Sequence, residues 1–385
     1  MLRFLTAGES HGPKLSVIID GMPAGLLLES DTLSRELKKR QAGYGRSDRM
    51  RLENDQAQIT AGVRRKRTTG APIAVEIVNT IFENHIEIWS DSPPAPVTVP
   101  RPGHADLAGW AKYEGADIRD VIERASARET AARIVAGAVA KALLAEFDIR
   151  TGHKVRGIGD VKDESPFDWN PESRCCQGDP PTDDPDIAGR WKAIIDQARQ
   201  RGDSVGGRFE CRVRGLPMGL GSFAQFDRRL DGRIAGAMMA VPGVKAVAIG
   251  DGFIADQFEG SAFRDPIAGA AKDDRLPKRV SNHAGGLEGG LTNGEDLVVF
   301  GVMKPISGVS VPADSVDLET RRPTPSRHER ADTCVAHAAA VICENVIAWE
   351  IAKAMTERYG GDTLQAMKAA FTRDAQGLAA WWKHE

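Results

Sequence analysis

The chemistry this 385-residue sequence can offer lies mostly in two histidines, a few hydroxyls and a set of arginines placed among glycines. Ser10 and His11 stand in Gly8-Glu9-Ser10-His11-Gly12, directly after the apolar run Phe4 to Ala7. Glycines on both sides suit a tight turn that presents both side chains to a ligand; a turn with an incidental histidine reads the same way. The block also matches the G-x-S-x-G pattern of a serine nucleophile. That elbow follows a central strand of an established sheet, whereas seven residues precede this one. A serine hydrolase using Ser10 would lose activity to a serine-directed acylating probe.

Arg40, Arg46, Arg49 and Arg51 flank the turn Gly43-Tyr44-Gly45. Such a loop closes guanidinium forks on a multiply anionic small molecule, or is simply solvated. It is not a P-loop, because G-x-x-x-x-G-K-[ST] is absent. Arg101-Pro102-Gly103-His104-Ala105-Asp106 sets a histidine between a turn and a carboxylate, which suits an oriented imidazole or a loop histidine satisfied by a carbonyl. In Glu123-Arg124-Ala125-Ser126-Ala127-Arg128-Glu129-Thr130, the helical pattern puts Arg124 and Arg128 on one face around a small Ser126. Five glycines fall between Ser281 and Gly294, and Lys304-Pro305-Ile306-Ser307-Gly308 follows a β-like run. No G-x-G-x-x-G opens a helix there, so a dinucleotide fold has no support. Asp332, in Arg330-Ala331-Asp332-Thr333-Cys334, reads as the N-cap of a final long helix.

These residues need elements to hold them. Periodicity predicts helices over 30–41 (capped by Ser30 or Asp31, with Leu33 and Leu37 on one face), 117–147 and 332–359. Strands are predicted over 74–78, 207–213 and 297–302. Regular strand–helix alternation is missing, which argues against a doubly wound sheet and for α+β with antiparallel sheet. Residues 160–186 carry nine acidic and two basic residues and read as a surface excursion. The functional segments are scattered over residues 1–385, which favours one interwoven domain.

Composition removes several classes. Hydrophobic residues at 41% and charged residues at 27% exclude a disordered or fibrous chain. A net charge of −3 leaves no field for nucleic acid or a membrane surface. RNA binding through the arginine runs of residues 40–67 would show as steep salt dependence. Arg outnumbers Lys by 35 to 16, and glycine reaches 40 residues. Five cysteines without C-x-x-C spacing read as reduced thiols and suggest no metal site. The start of the chain has no signal-like region, and the apolar stretches 134–145 and 336–352 fall short of the roughly 20 residues of a membrane span. A cytoplasmic protein is expected.

In this order the blocks GESHG, R-x-x-GYGR-x-x-RM, RPGHAD, ERASARET, SNHAGGLEGGLTNG, KPIS and R-x-D-x-C resemble the chorismate synthase family over residues 8–334. The resemblance implies a β-α-β layered sandwich with antiparallel sheets, assembled as a homotetramer. It also implies an anti-1,4-elimination of phosphate from 5-enolpyruvylshikimate 3-phosphate to give chorismate, needing reduced FMN without net redox change. NADPH, directly or through an external flavin reductase, is the candidate reductant. By the same resemblance His11 protonates the leaving phosphate, His104 serves the reduced flavin, and Asp332, Ser10 and Ser126 belong to a proton relay near the flavin N5. Arg40, Arg46 and Arg49 correspond to substrate and NADP contacts. Flavin contacts map onto Arg124, Ala125, Ser126, Pro242, Gly243, Gly289, Lys304, Pro305, Ile306, Ser307, Gly308 and Arg330. Ser47, Pro242-Gly243 and Gly308 depart from the family's usual residues, and Arg327-His328-Glu329 competes with Arg330 for the family's arginine position.

Overall fold

Leu15, Val17 and Ile19 alternate with Lys14, Ser16 and Ile18, and strand β2 (Lys14–Asp20) buries the first set. It lies between β1 (Arg3–Ala7) and β4 (Ile73–Val78), with β3 (Ala57–Ala61) at the far edge. All three pairings are antiparallel. A second antiparallel sheet contains β5 (Arg150–Ile158), β6 (Val161–Lys162), β7 (Gly207–Arg214), β8 (Val244–Ile249) and β9 (Leu297–Met303), in the order β8-β9-β7-β5-β6. This computed structural model describes residues 1–47, 54–115, 117–170, 180–268, 276–327 and 332–383.

Helices fill the space between the sheets. They are α1 (Ser30–Gln41), α3 (Thr130–Ala145) and α6 (Ala336–Tyr359), with the short α2 (Arg119–Arg124) ahead of α3 and with α4 (Pro185–Gln200) and α5 (Leu230–Met239) beside them. α6 is apolar nearly all round because it runs through the middle. It meets α3 backbone to backbone: a Cβ added at Gly137 would lie 2.4 Å from the Cβ of Asn345. The main apolar cluster runs from Leu2 to Met367 and takes side chains from both sheets and from α1, α3 and α6. The architecture is therefore the expected α+β sandwich, sheet–helices–sheet.

Three local expectations need correction. The 117–147 helix is interrupted: Ser126 is extended (φ −63°, ψ 143°) and its hydroxyl accepts the Arg128 N–H. Serine competes with the helix for backbone groups and restarts it as a cap, so Arg124 and Arg128 do not share a face. The last helix starts at Ala336, not at 332, because Thr333 and Cys334 are drawn into extended pairing with Val205. Asp332 therefore caps nothing. At α1 the N-cap is Glu29, without a side-chain cap bond; neither Ser30 nor Asp31 serves.

The acidic 160–186 segment is more than a surface excursion. Asp163 is 1% exposed, accepts from Ser165 and Thr182, and lies 3.3 Å from Lys154 Nζ. Trp169 and Phe167 lie over Gly152, beneath the guanidinium groups of Arg214 and Arg212 at 4.2 and 4.9 Å. Cys175 and Cys176 fall outside the described residues. Cys211, Cys334 and Cys343 are free and buried, and burial pushes the Cys334 thiol up to about 11. Among the described residues no helix is long and apolar enough to cross a membrane.

The helical layer also encloses charge. Lys141 of α3 lies 2.7 Å from both Glu36 of α1 and Glu344 of α6, and Glu344 also holds His153 Nδ1 at 2.6 Å. The neighbouring His337 is pressed down to about 3 by burial and by the His153 and Arg46 charges. It stays neutral in the fold below pH 6.5, where the unfolded chain's histidine takes up a proton. Its stabilisation is thus complete above pH 6.5 and declines as pH falls toward 3, by about 2 kcal/mol at pH 5. Denaturant midpoints at pH 7 and pH 5 check this: His337→Leu removes that part of the acid sensitivity, and an unchanged difference between the two pH values would refute it.

Candidate active site

Gly8 opens the Ser10–His11 turn with φ +109°, and a Cβ there would lie 2.4 Å from the Lys14 carbonyl. The turn is tied to α2. The Ser10 N–H donates to the Glu123 carbonyl at 3.1 Å, and the His11 N–H donates to Glu123 Oε2 at 2.7 Å. His11 Nδ1 meets Glu123 Oε1 at 2.7 Å. The Ser126 hydroxyl, delivered by the helix break, lies 3.1 Å from the Ser10 hydroxyl. Arg124 turns back onto the Gly8 and Thr6 carbonyls, both at 3.1 Å. Asn79 donates to the Gly12 carbonyl at 2.6 Å and accepts from Arg128, whose other branch pairs with Asp55 at 2.7 Å. Ala125 ends α2 through its N–H to Val121 at 2.8 Å.

A second group gathers at the glycine–tyrosine loop. Asp332 accepts the Ser47 N–H at 2.6 Å and pairs with Arg46 at 2.8 Å. The Gly45 carbonyl accepts from Thr333 at 2.7 Å, and Tyr44 donates to Asp196 at 2.9 Å. Gly45 has φ +93°, and a side chain there would press on Cys334 and Ile195. Ser47 is thus accommodated through its backbone. Arg40 is 5% exposed and directs its guanidinium inward, to Thr130 Oγ1 at 3.0 Å and the Ala127 carbonyl at 3.2 Å. Arg49 lies outside the described residues.

The third group surrounds His104. Lys304 Nζ donates to Ser307 Oγ at 2.6 Å and to the Gly103 carbonyl at 3.2 Å. A cavity of about 40 Å³ is lined by Arg101, His104, Ser307, Gly308 and Arg327, among others. Gly308 lines it without a hydroxyl of its own. His104 Nδ1 lies 3.2 Å from the Pro102 carbonyl. Asp106 is engaged by Arg101 instead; burial raises its carboxyl, but the Arg101 bonds outweigh burial and hold it below the usual range. The Gly243 carbonyl, in the turn after Pro242, accepts the Lys304 N–H at 3.0 Å. Gly289, at φ +59° on a hairpin tip, has open space where a Cβ would point. Arg330 lies outside the described residues, whereas its competitor Arg327 lines the cavity.

Hydrogen bonds join the three groups. Thr6 donates to Glu129, Arg133 links Glu129 to the Ala240 carbonyl, and the 240–243 turn holds Lys304. On the other side Ser204 donates to the Ile306 carbonyl at 2.6 Å, while the Val205 N–H reaches Thr333 at 2.9 Å. Pro305 packs against Gly206 within this link. The Ser307 hydroxyl, the His104 imidazole and the Arg101 and Arg327 side chains line one small cavity, with Lys304 bonded to Ser307 beside it; this donor set suits an anionic group such as a phosphate. Among the described residues no group of three or more His, Cys, Asp or Glu is placed to hold a metal ion.

Sequence reading missed Glu123, Asn79 and the pair His85 and Trp89. Glu123 stands inside a quoted block, but its partner is 112 residues away, beyond any local spacing signal. The His85 ring lies tilted against His11 with ring centroids 4.3 Å apart, and Trp89 donates to the His11 carbonyl at 3.0 Å. Neither carries a motif.

A sequence model of chorismate synthase matches residues 2–356. The chorismate synthase of Moorella thermoacetica is 48% identical over 372 residues, covering 96% of this chain and 97% of that protein. The chorismate synthase of Desulforamulus reducens is 46% identical over 379 residues, with the same coverage. A crystal structure of chorismate synthase superposes with a TM-score of 0.79 at 36% identity, covering 98% of both chains. With the motif blocks in order and the layered fold in common over nearly the whole length, this chain belongs to the chorismate synthase family.

Proposed function

We propose that this chain eliminates phosphate from 5-enolpyruvylshikimate 3-phosphate, leaving chorismate, as a single catalytic domain in a cytoplasmic homotetramer. The reaction is that of a carbon–oxygen lyase: one C–O bond to phosphate and one C–H bond break, and a new C=C bond forms. The observation that carries the reading is the meeting of Ser10 and His11 with Ser126, brought from 116 residues away to 3.1 Å.

The substrate carries a phosphate and two carboxylates, which call for guanidinium forks. Arg46, and Arg49 by its place in the motif, supply them, with Arg40 supporting the 127–130 turn from behind. Each charge-assisted bond contributes about 1.5–3 kcal/mol, so three or four suffice for micromolar binding, about 8 kcal/mol. His11 donates a proton to the departing phosphate. Ser10, Ser126 and Asp332 hold or pass the proton taken from carbon. Chorismate synthases require reduced flavin; when bound, it supplies electron density to the substrate and a nitrogen that takes up the carbon-derived proton. Lys304, Ser307 and Arg327 would hold its phosphate, His104 its ring, and the backbone at Gly243 and Gly289 its flanks.

Purified chain with reduced FMN, kept anaerobic, releases phosphate and chorismate from the substrate in equal amounts. Failure to turn over while folded and flavin-bound would overturn the reading. Oxidised FMN with NADPH, in air and without added reductase, separates a chain that reduces its own flavin from one that depends on an external reductase.

A further inference from the structure

We infer that Glu123 is the residue that positions His11 and sets which of its ring nitrogens meets the substrate, an inference that rests on the reading of His11 as the acid facing the leaving phosphate. Glu123 meets this turn with both carboxylate oxygens and its carbonyl. Oε1 takes His11 Nδ1 and Oε2 takes the His11 N–H, each at 2.7 Å, while its carbonyl takes the Ser10 N–H at 3.1 Å. The side chain of Glu123 is 4% exposed and that of His11 is 22% exposed, so the carboxylate lies behind the imidazole and the imidazole lies toward the open side.

A carboxylate only accepts hydrogen bonds, so Nδ1 carries a hydrogen and Nε2 is the atom that exchanges its proton. The arrangement is that of a carboxylate behind a catalytic histidine, where the acid orients the ring without itself taking part in proton transfer. Trp89 on the carbonyl and the tilted His85 ring beside the imidazole add to the hold. Without Glu123, rotation about χ2 would offer either nitrogen to the substrate.

Glu123→Gln keeps the shape and an acceptor for the His11 N–H but offers an amide donor to Nδ1. We expect kcat to fall about 10- to 100-fold, within what a general acid contributes, while KM and reduced-FMN affinity change less than about threefold. The deciding measurement is the cycle with His11→Ala. If Glu123 acts through His11, the double variant turns over within about twofold of His11→Ala alone. An equal further loss in the His11→Ala background would show a structural role and overturn the inference. Wild-type turnover in Glu123→Gln, with His11→Ala slow, overturns it and leaves His11 as the acid. Wild-type turnover in His11→Ala removes the role of His11 itself, and the inference falls with it. Should glutamine at 123 prevent folding, Glu123→Asp carries the same cycle, since it keeps the charge and only shortens the reach.

Discussion

Lys141→Met lowers the unfolding free energy at pH 7 by about 3–5 kcal/mol, the loss expected when one member of a buried ionic group is removed and its partners remain. Lys141 is the cation between Glu36 and Glu344, 2.7 Å from each. Burial works to raise the Glu36 carboxyl, but Lys141 and Lys39 outweigh it and hold it down to about 2. Glu344 is likewise opposed by burial and held well below its usual value by Lys141 and His153. With methionine at 141 the two carboxylates face each other across three helices. The sign with pH follows. In the native chain Glu36 is stabilising above its unfolded value of 4.5, and that stabilisation is lost as pH falls from there toward 2. In the variant a carboxyl takes up a proton easily, so the gap between variant and native narrows below about pH 5. Denaturant midpoints at pH 7 and 4.5 check both parts, and a loss under about 1 kcal/mol at pH 7 would falsify the idea of an unhydrated cluster.

His11→Ala slows phosphate release by about 10²–10⁴-fold, the usual contribution of a positioned acid, equal to roughly 3–5 kcal/mol of barrier. On the proposed reading the loss falls on kcat, because the imidazole is needed once the C–O bond stretches, whereas the arginines would bind the ground state. Reduced FMN is expected still to bind, since the groups proposed to hold it, around Lys304 and Ser307, are untouched. His104→Ala also slows turnover, by at least about tenfold. Its ring lines the same small cavity as Ser307 and Arg327, and the nearby Asp106 is held by Arg101. Single-turnover phosphate release at saturating substrate measures both. Near-native rates in either variant would reassign that histidine to a structural role.

How far the sequence disclosed this arrangement depended on distance along the chain. Leu33 and Leu37 recur at helical spacing, so α1 was legible, and the runs 74–78, 207–213 and 297–302 lie on β4, β7 and β9; β2 went unread although its Leu15, Val17 and Ile19 alternate. The helix predicted over 117–147 was not interrupted in the reading, because helical periodicity persists through Ala125 to Arg128. Its break is decided by one hydroxyl competing for a backbone N–H. Asp332 was legible as a residue with chemistry, but its role was misread. A cap is a local inference, whereas its actual partners, Arg46 and Ser47, lie almost the length of the chain away. Glu123 stayed hidden for the same reason. Arg40 illustrates the converse: a charge run suggested an outward fork, and the fold turned its guanidinium onto Thr130 and Ala127.

The bond from Asp332 to the Ser47 N–H spans 285 residues. Contacts of such separation form late, since a long loop must close before they contribute. At about 5–20 residues per second, roughly 15–60 s of translation separate the emergence of the two partners. His11 and Glu123, 112 residues apart, become available to each other well before that. On the nascent chain the Ser10–His11 turn can therefore meet Glu123 before the Arg46 loop has the carboxylate that clamps it. A polypeptide released before residue 332 lacks both this clamp and α6, the helix that runs through the middle of the core, so truncation at that end removes the closed arginine loop and the packing of the half made earlier together.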